Sequence, residues 1–148
     1  MLRVSRLADY ATSLMACLGE KPGEVLSAVQ LAECLALEPP TVSKLLKLLA
    51  QAGLVESFRG PNGGYRLARP AARISVAEVV AAIEGPISMT ECGVAIGQCE
   101  RESSCGVRGN WQKINASVAA ALQAVSVADM MQPAKNPKKP ARRAGARA

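Results

Sequence analysis

The sequence predicts a mainly α-helical fold with one small β-hairpin. Apolar residues recur at helical spacing over several segments, whereas only two short runs are typical of β-strands. Serine capping boxes and glycines mark where the predicted helices begin and end. At 148 residues the chain suits one compact domain with appendages, and with only 3% aromatic residues its core must depend on aliphatic packing.

Three amphipathic helices are predicted near the N-terminus. The first spans about residues 6–18, because apolar side chains recur there on one face. The second begins at Ser27, which forms a capping box with Gln30. The third begins near Glu38, because the two prolines that follow suit a first helical turn. Two short helices joined by a tight connection predict a helix-turn-helix.

A β-hairpin is predicted directly after the third helix. Two β-type runs, residues 54–58 and 65–67, flank the turn-forming sequence RGPNGG. A helix-turn-helix followed by a basic hairpin is a winged helix. A further capping box, Ser75 with Glu78, begins a helix that ends at Glu84.

The third helix and the hairpin carry the residues expected to contact double-stranded DNA. Small polar and basic side chains lie at the N-terminal end of the third helix, the part that usually contacts base edges. An arginine at the wing could enter a narrow minor groove. Wing glycines would let the backbone approach phosphates. Each residue alone is typical of a solvated surface, but their order favours an operator-binding protein. The predicted contacts are Thr41, Ser43, Lys44, Lys47, Arg59, Gly63, Gly64 and Arg66.

A longer helix is predicted from Arg108 toward Val125. Four of its apolar positions, 114, 118, 121 and 125, follow heptad spacing, which favours a homodimer seam over packing onto its own domain. The predicted organisation is a winged helix-turn-helix over 1–85, a cysteine loop over 86–107, a dimerisation helix over 108–131 and a disordered basic tail over 132–148.

Charge and composition narrow the function classes. The net charge is +6, and the tail alone carries six cations without a carboxylate. Neither an apolar signal segment nor a membrane-spanning run is predicted, so we expect a cytoplasmic protein without a membrane partner. The chain has no histidine, no paired nucleophile and base, and no Walker lysine, so we expect neither an enzyme nor a small-molecule substrate.

Three cysteines form the most distinctive cluster, C-x6-C-x5-C at Cys92, Cys99 and Cys105. Thiolates are soft ligands for zinc, copper(I) and iron–sulfur clusters. The wide intervals favour an iron–sulfur cluster, with a structural zinc or uncoordinated redox thiols as alternatives. The fourth ligand is left open among carboxylate, another cysteine, backbone, water or an exogenous group. Cys17 and Cys34 are predicted to be buried apolar residues.

The motifs together resemble a known family. MLRVSRLADYA, PTVSKLLKLLAQAGLVES, RGPNGGYRLARP, ISVAEVVAAIEG and the cysteine triplet are similar to the Rrf-two family of bacterial winged-helix regulators, which includes IscR and NsrR. The branch that regulates the SUF iron–sulfur cluster assembly system looks closest. The resemblance runs from residue 1 to about 131 and implies a homodimeric repressor that senses iron–sulfur cluster status through the triplet.

The resemblance also implies residue roles. The three loop cysteines match the cluster ligands, Thr41, Ser43 and Lys44 match recognition-helix positions, and Arg59 matches the wing arginine. Asp9 corresponds to the aspartate that NsrR-like members contribute from the partner subunit, and is therefore a candidate cofactor ligand. Arg108 stands near the position where IscR-like members place a histidine ligand, and the first cysteine interval is one residue longer than in IscR.

Three points stay open at this stage. The cluster type, 2Fe–2S or 4Fe–4S, is undecided. One alternative function is a nitric-oxide or redox-responsive repressor of the same fold. The other is an iron–sulfur or zinc carrier, which would have no use for the basic helix and wing.

Overall fold

A computed structural model describes residues 3–132 of the chain. The predicted basic tail, 132–148, lies outside the described residues except for its first position. The helices are α1 (Arg6–Gly19), α2 (Ala28–Leu35), α3 (Pro39–Gln51), α4 (Val76–Glu84), α5 (Glu91–Val94), α6 (Arg108–Gln123) and α7 (Val127–Met131), and the strands are β1 (Val55–Phe58) and β2 (Gly64–Leu67). Within 3–132, none of the helices is long and apolar enough to cross a membrane.

The predicted fold class, mainly helical with a two-stranded wing, is confirmed. Local signals explain where two of the helices begin. The Ser27 N–H donates to Gln30 Oε1 at 2.9 Å, and the Ser75 N–H donates to Glu78 Oε2 at 2.9 Å, so both predicted capping boxes are present. Each box satisfies backbone N–H groups that the first helical turn leaves unpaired.

The core lies around α1. This helix packs against α2, α4 and α7, and α3 packs against α2 and α4. The apolar face of α3 is fully buried, which fixes the opposite face toward solvent. The largest fully buried side chains are Leu14, Met15, Leu18, Leu31, Leu45, Leu46, Leu49, Ile74, Val42, Val79 and Val127.

The wing is fixed to the helix-turn-helix by backbone pairing. β1 and β2 pair antiparallel from Val55 with Leu67 to Phe58 with Gly64. Leu26, just before α2, exchanges two backbone hydrogen bonds with Tyr65 at 2.9 and 2.8 Å. These bonds hold the hairpin beside the residues that lead into α2, and β1 also contacts α3.

The predicted dimerisation range, 108–131, contains two helices. α6 ends at Gln123, and Ser126 forms a capping box with Asp129 that begins α7. The end of α6 packs on its own subunit, where Leu122 and Val125 lie against a small cluster of α1 and α4 residues. Further toward the N-terminus of α6, Trp111 is 37% exposed and Ile114 is 42% exposed.

The prediction that Cys17 and Cys34 are buried apolar residues is correct for the burial of Cys17 and wrong for Cys34. Cys17 is buried in the core, but Cys34 is exposed, and the two are joined by a disulfide. The eight-residue α2 buries only Leu31 and Ala32. Cys34 therefore sits at the margin of the buried face, from which its side chain reaches the last turns of α1.

Candidate DNA-contacting surface and cysteine-loop site

The solvent face of α3 carries the predicted recognition residues. Ser43, Lys44 and Lys47 are exposed and Thr41 is half-buried at the N-terminal end of the helix. Within residues 3–132, neither lysine is paired with a carboxylate. Two uncompensated ammonium groups on one protruding helix can attract a line of phosphates.

The wing places Arg59 in solvent at its tip. A Cβ on Gly63 would overlap the Phe58 carbonyl, and one on Gly64 would overlap the backbone of Leu26. The turn therefore requires glycine at position 63, and the contact with Leu26 requires glycine at position 64. Close approach of these glycines to DNA phosphates stays a prediction.

Arg66 is already engaged within the wing. Its Nε lies 3.0 Å from Glu56 Oε2, and its guanidinium carbon lies 4.8 Å from the centroid of the Phe58 ring. The neighbouring Arg69 is likewise paired, with 2.6 Å between its Nη2 and Glu78 Oε1. The first pair lies within the hairpin, and the second joins the segment after β2 to α4. Both arginines are partly neutralised, so the free cation of the wing is that of Arg59 among the described residues.

The three loop cysteines are free thiols, and each is half-buried. Cys92 is the second residue of α5, and its Sγ lies 3.1 Å from Thr90 Oγ1. Apolar side chains around them are unusually open, with Ile96 90% exposed and Val107 53% exposed. A loop that leaves such side chains in water lacks a packed interior of its own and is suited to closing around something else.

One side chain of α6 anchors the start of this loop. Asn115 is only 9% exposed, and its Oδ1 accepts a hydrogen bond from the Met89 N–H at 2.8 Å. A Cβ on Gly93 would overlap Asn115 Nδ2 and Ser88 Oγ, so the residue after Cys92 has to be glycine in this arrangement. Asn115 Nδ2 is buried and has no partner in the described part of the chain.

A second anchor holds the end of the loop. Glu102, between Cys99 and Cys105, forms an ion pair with Arg108 at the start of α6, and its carboxylate accepts the Gly97 N–H. The Glu102 side chain is only 11% exposed. The arginine that stands near the expected histidine position therefore organises the loop, although it cannot bind iron.

Sequence reasoning missed both anchors. Asn115 had a signal, because it lies four residues after Trp111 and three before Val118, inside the apolar stripe of α6. A polar residue at such a position is often buried for a specific contact. The Glu102–Arg108 pair had no such sequence signal, because residues in the loop between them follow no helical or strand spacing.

Asp9 lies exposed on α1, apart from the loop anchors. It lines a groove of ≈ 400 Å³ together with Val80 and Leu122. Leu122 lies in the last turn of α6. Asp9 is therefore accessible from solvent at this groove.

The thiol set fits an iron–sulfur cluster in its chemistry. The loop carries three free cysteines, and cysteine thiolates are the ligands that hold such clusters. Over residues 3–132, no three side chains of the ligand types His, Cys, Asp or Glu are already gathered at metal-binding positions. Binding would therefore require the loop to draw its three thiols together.

Comparison with known proteins gives the family. The sequence model of Rrf2, described as "Iron-dependent Transcriptional regulator", matches residues 4–133. The chain belongs to the Rrf2 family. This is the Rrf-two family of the resemblance, and it comprises transcriptional regulators rather than enzymes.

Several Rrf2 relatives align over most of the chain. IscR of Cereibacter sphaeroides is 32% identical over 143 residues, covering 88% of both chains, and the protein aau3 of Rhizobium meliloti is 34% identical, covering 88% of this chain and 86% of its own. Two Neisseria meningitidis sequences are 37% identical, but the alignment spans 64% of their length.

Solved structures of the family share the fold. CymR of B. subtilis, the global cysteine regulator, superposes with a TM-score of 0.69 at 29% identity, covering 88% of this chain and 97% of CymR. T. potens IscR superposes with a TM-score of 0.65 at 30% identity, covering 88% of this chain and 86% of IscR.

Proposed function

We propose that this Rrf2 protein is a homodimeric, DNA-binding repressor that senses iron–sulfur cluster status and controls SUF cluster assembly genes. The observation that carries the proposal is the triplet of free, half-buried thiols on one loop, joined at both ends to the helix that follows the winged domain. The likeness to IscR supports the same reading.

DNA is the proposed partner of α3 and the wing. Ser43, Lys44 and Lys47 face solvent on α3, Arg59 does so on the wing, and strand β1 of the wing contacts α3, which supports a shared DNA-contacting role. In a dimer, two such surfaces would meet half-sites about one helical turn, roughly 34 Å, apart.

A second copy of the chain is the proposed occupant of the open face of α6. Trp111 and Ile114 are exposed there, and Val118 and Leu122 continue the stripe along a groove. Docking would cover these side chains and bring Asp9 of one subunit toward the cysteine loop of the other. Asp9 is accordingly our candidate for the fourth ligand.

The cysteines supply the proposed sensor. Cys92, Cys99 and Cys105 would hold the cluster, which when bound supplies a group sensitive to iron supply, oxidants and nitric oxide. The chain's own residues do the rest: Asn115 holds the start of the loop on α6, and Glu102 holds its end. Closing the loop therefore acts on α6, the proposed dimer helix.

The cofactor is tested on anaerobically purified protein by its visible spectrum and its iron and sulfide content. We expect a coloured protein with stoichiometric sulfide, loss of both in Cys92→Ala, and retention in Ser103→Ala, an exposed neighbour in the same loop. Colourless protein without iron or sulfide after reconstitution, or one zinc per chain, would contradict the proposal.

The sensor function is tested on an operator selected by the protein from random duplex DNA. Cluster-loaded protein, apo protein and Cys92→Ala should differ in affinity for this operator or in the site they select. Equal footprints from all three would remove the sensing role while leaving the DNA-binding role intact.

The DNA surface is tested by salt dependence. Lys44→Ala with Lys47→Ala should weaken operator binding and reduce the slope of log affinity against log salt by about 0.9 for each lost phosphate contact. Lys21→Ala is the control, because Lys21 is a surface lysine outside α3 and the wing and lies 4.0 Å from Glu24. An unchanged slope in the double variant would contradict the assignment of α3.

The dimer is tested by light scattering on size-exclusion fractions. Ile114→Glu should shift the protein toward monomer, because a carboxylate in an apolar seam loses its hydration without a partner. Gln112→Glu, on the opposite side of α6, should leave the mass unchanged. A wild-type monomer, or equal behaviour of both variants, would refute the seam.

A further inference from the structure

Two cysteines outside the proposed cluster site are brought together by the fold. Cys17 lies in the last turns of α1 and Cys34 lies near the end of α2, and they form a disulfide across 17 positions of sequence. The other three cysteines of the chain are free and occupy the loop before α6. The pair is therefore a second sulfur site with no role in the proposed cluster chemistry.

The two sulfurs differ in how they meet solvent. Cys17 is 9% exposed and belongs to the core around α1, whereas Cys34 is exposed. Both line a shallow cavity of ≈ 330 Å³ whose rim includes the carboxylates of Glu20 and Glu33. The lining also includes Lys21, and a small neutral oxidant such as hydrogen peroxide can enter such a cavity.

The bond lies next to the turn that aims the recognition helix. Cys34 precedes by two residues Ala36, whose left-handed φ of 52° directs the chain from α2 toward α3. α2 is short, and only Leu31 and Ala32 of its eight residues are buried. A covalent tie to α1 consequently restrains both α2 and the turn.

We propose that Cys17 and Cys34 are a dithiol that hydroperoxides oxidise to this disulfide, and that the bond tightens operator binding by holding α2 on α1. The DNA readout rests on the proposed function, but the thiol chemistry does not. It is independent of the three loop cysteines.

The chemistry balances with hydrogen peroxide as the oxidant. The Cys34 thiolate attacks one peroxide oxygen, the O–O bond breaks, and the departing hydroxide takes up a proton to leave as water with a sulfenic acid on Cys34. The Cys17 thiolate then attacks that sulfur, the S–O bond breaks, and a second water leaves as the S–S bond forms. Two thiols are oxidised, and one peroxide is reduced to two waters.

The chemical test uses the full chain with Cys92, Cys99 and Cys105 replaced by serine, so that only the pair can react. Treating the reduced protein with hydrogen peroxide should remove both titratable thiols and link the α1 and α2 peptides in a digest. Reduced glutathione should then restore both thiols. Thiols that survive peroxide, or a bond that persists in reduced glutathione as a permanent cross-link, would overturn the switch.

The functional test uses the same protein with Cys92, Cys99 and Cys105 replaced by serine, and it measures affinity for a duplex selected by the oxidised form of that protein. Reduction should raise the Kd by at least about fivefold, the lower end of ordinary coupling between sites. Cys34→Ser, at an exposed position, should bind like the reduced protein with or without peroxide. Equal affinities of the oxidised and reduced forms, or a peroxide response that survives in Cys34→Ser, would overturn the coupling to DNA.

If neither form binds any duplex while the thiols still titrate as expected, the DNA-binding proposal fails separately. That result would also remove the coupling to DNA, but it would leave the peroxide-sensitive pair established by the thiol count and by the linked peptides.

Discussion

Replacing Asn115 with alanine is predicted to release the start of the cysteine loop from α6. The Met89 N–H donates to Asn115 Oδ1 at 2.8 Å, in a position where Asn115 is 9% exposed. Removing the acceptor leaves that N–H unsatisfied, which costs about 1–3 kcal/mol. The substitution breaks no second hydrogen bond, because Asn115 Nδ2 has no partner in the described residues.

Hydrogen exchange of the Met89 amide measures the free-energy cost of losing this hydrogen bond. Since about 1.4 kcal/mol is a tenfold change, protection of the Met89 amide should fall roughly 5- to 150-fold in Asn115→Ala. Asn110→Ala is the matched control, because Asn110 is exposed in the first turn of the same helix. Equal protection in the two variants would refute the idea that Asn115 anchors the loop.

Three further predictions concern the loop and α4. Gly93→Ala should expose the loop to limited proteolysis, because its Cβ would overlap the Asn115 side chain. Ser75→Ala should lower the free energy of unfolding in urea by about 1 kcal/mol, since the Ser75 hydroxyl caps α4. The Ser75 backbone hydrogen bond and then Arg69 lower the pKa of Glu78 below its ordinary 4.5. Its stabilising effect should therefore be complete above pH 4.5 and be lost as pH falls further, and Glu78→Gln should flatten that part of a stability–pH profile.

The elements that the sequence predicted correctly depend on signals only a few residues long. Ser27 and Ser75 could be assigned as helix starts because each capping partner lies three residues later. The same rule, applied to Ser126 and Asp129, would have separated α7 from α6. The signal that predicted the wing was equally local, because turn residues lie between two short β-type runs.

What the sequence could not predict depends on distant contacts. The disulfide requires α1 and α2 to pack so that Cys17 and Cys34 meet, and neither residue has a local pattern that reveals this. The role of Asn115 depends on a backbone N–H 26 positions away. The candidate ligands could be named from their residue type, whereas the contacts that position their loop could not.

The attachment of α6 limits how the loop can influence DNA binding. Leu122 and Val125 fix the C-terminal part of the helix to α1 and α4, whereas Asn115 is the buried residue of its preceding turns, and its contact is with the loop itself. In the proposed sensor, movement of the loop would therefore act on the part of α6 that carries Trp111 and Ile114. In the proposed dimer this part forms the seam, so cluster occupancy would change the spacing of two winged helices more than the shape of either. Such a device can shift affinity only by the difference in free energy between the two spacings. It follows that a palindromic operator should respond to occupancy, whereas a single half-site should bind cluster-loaded and apo protein equally.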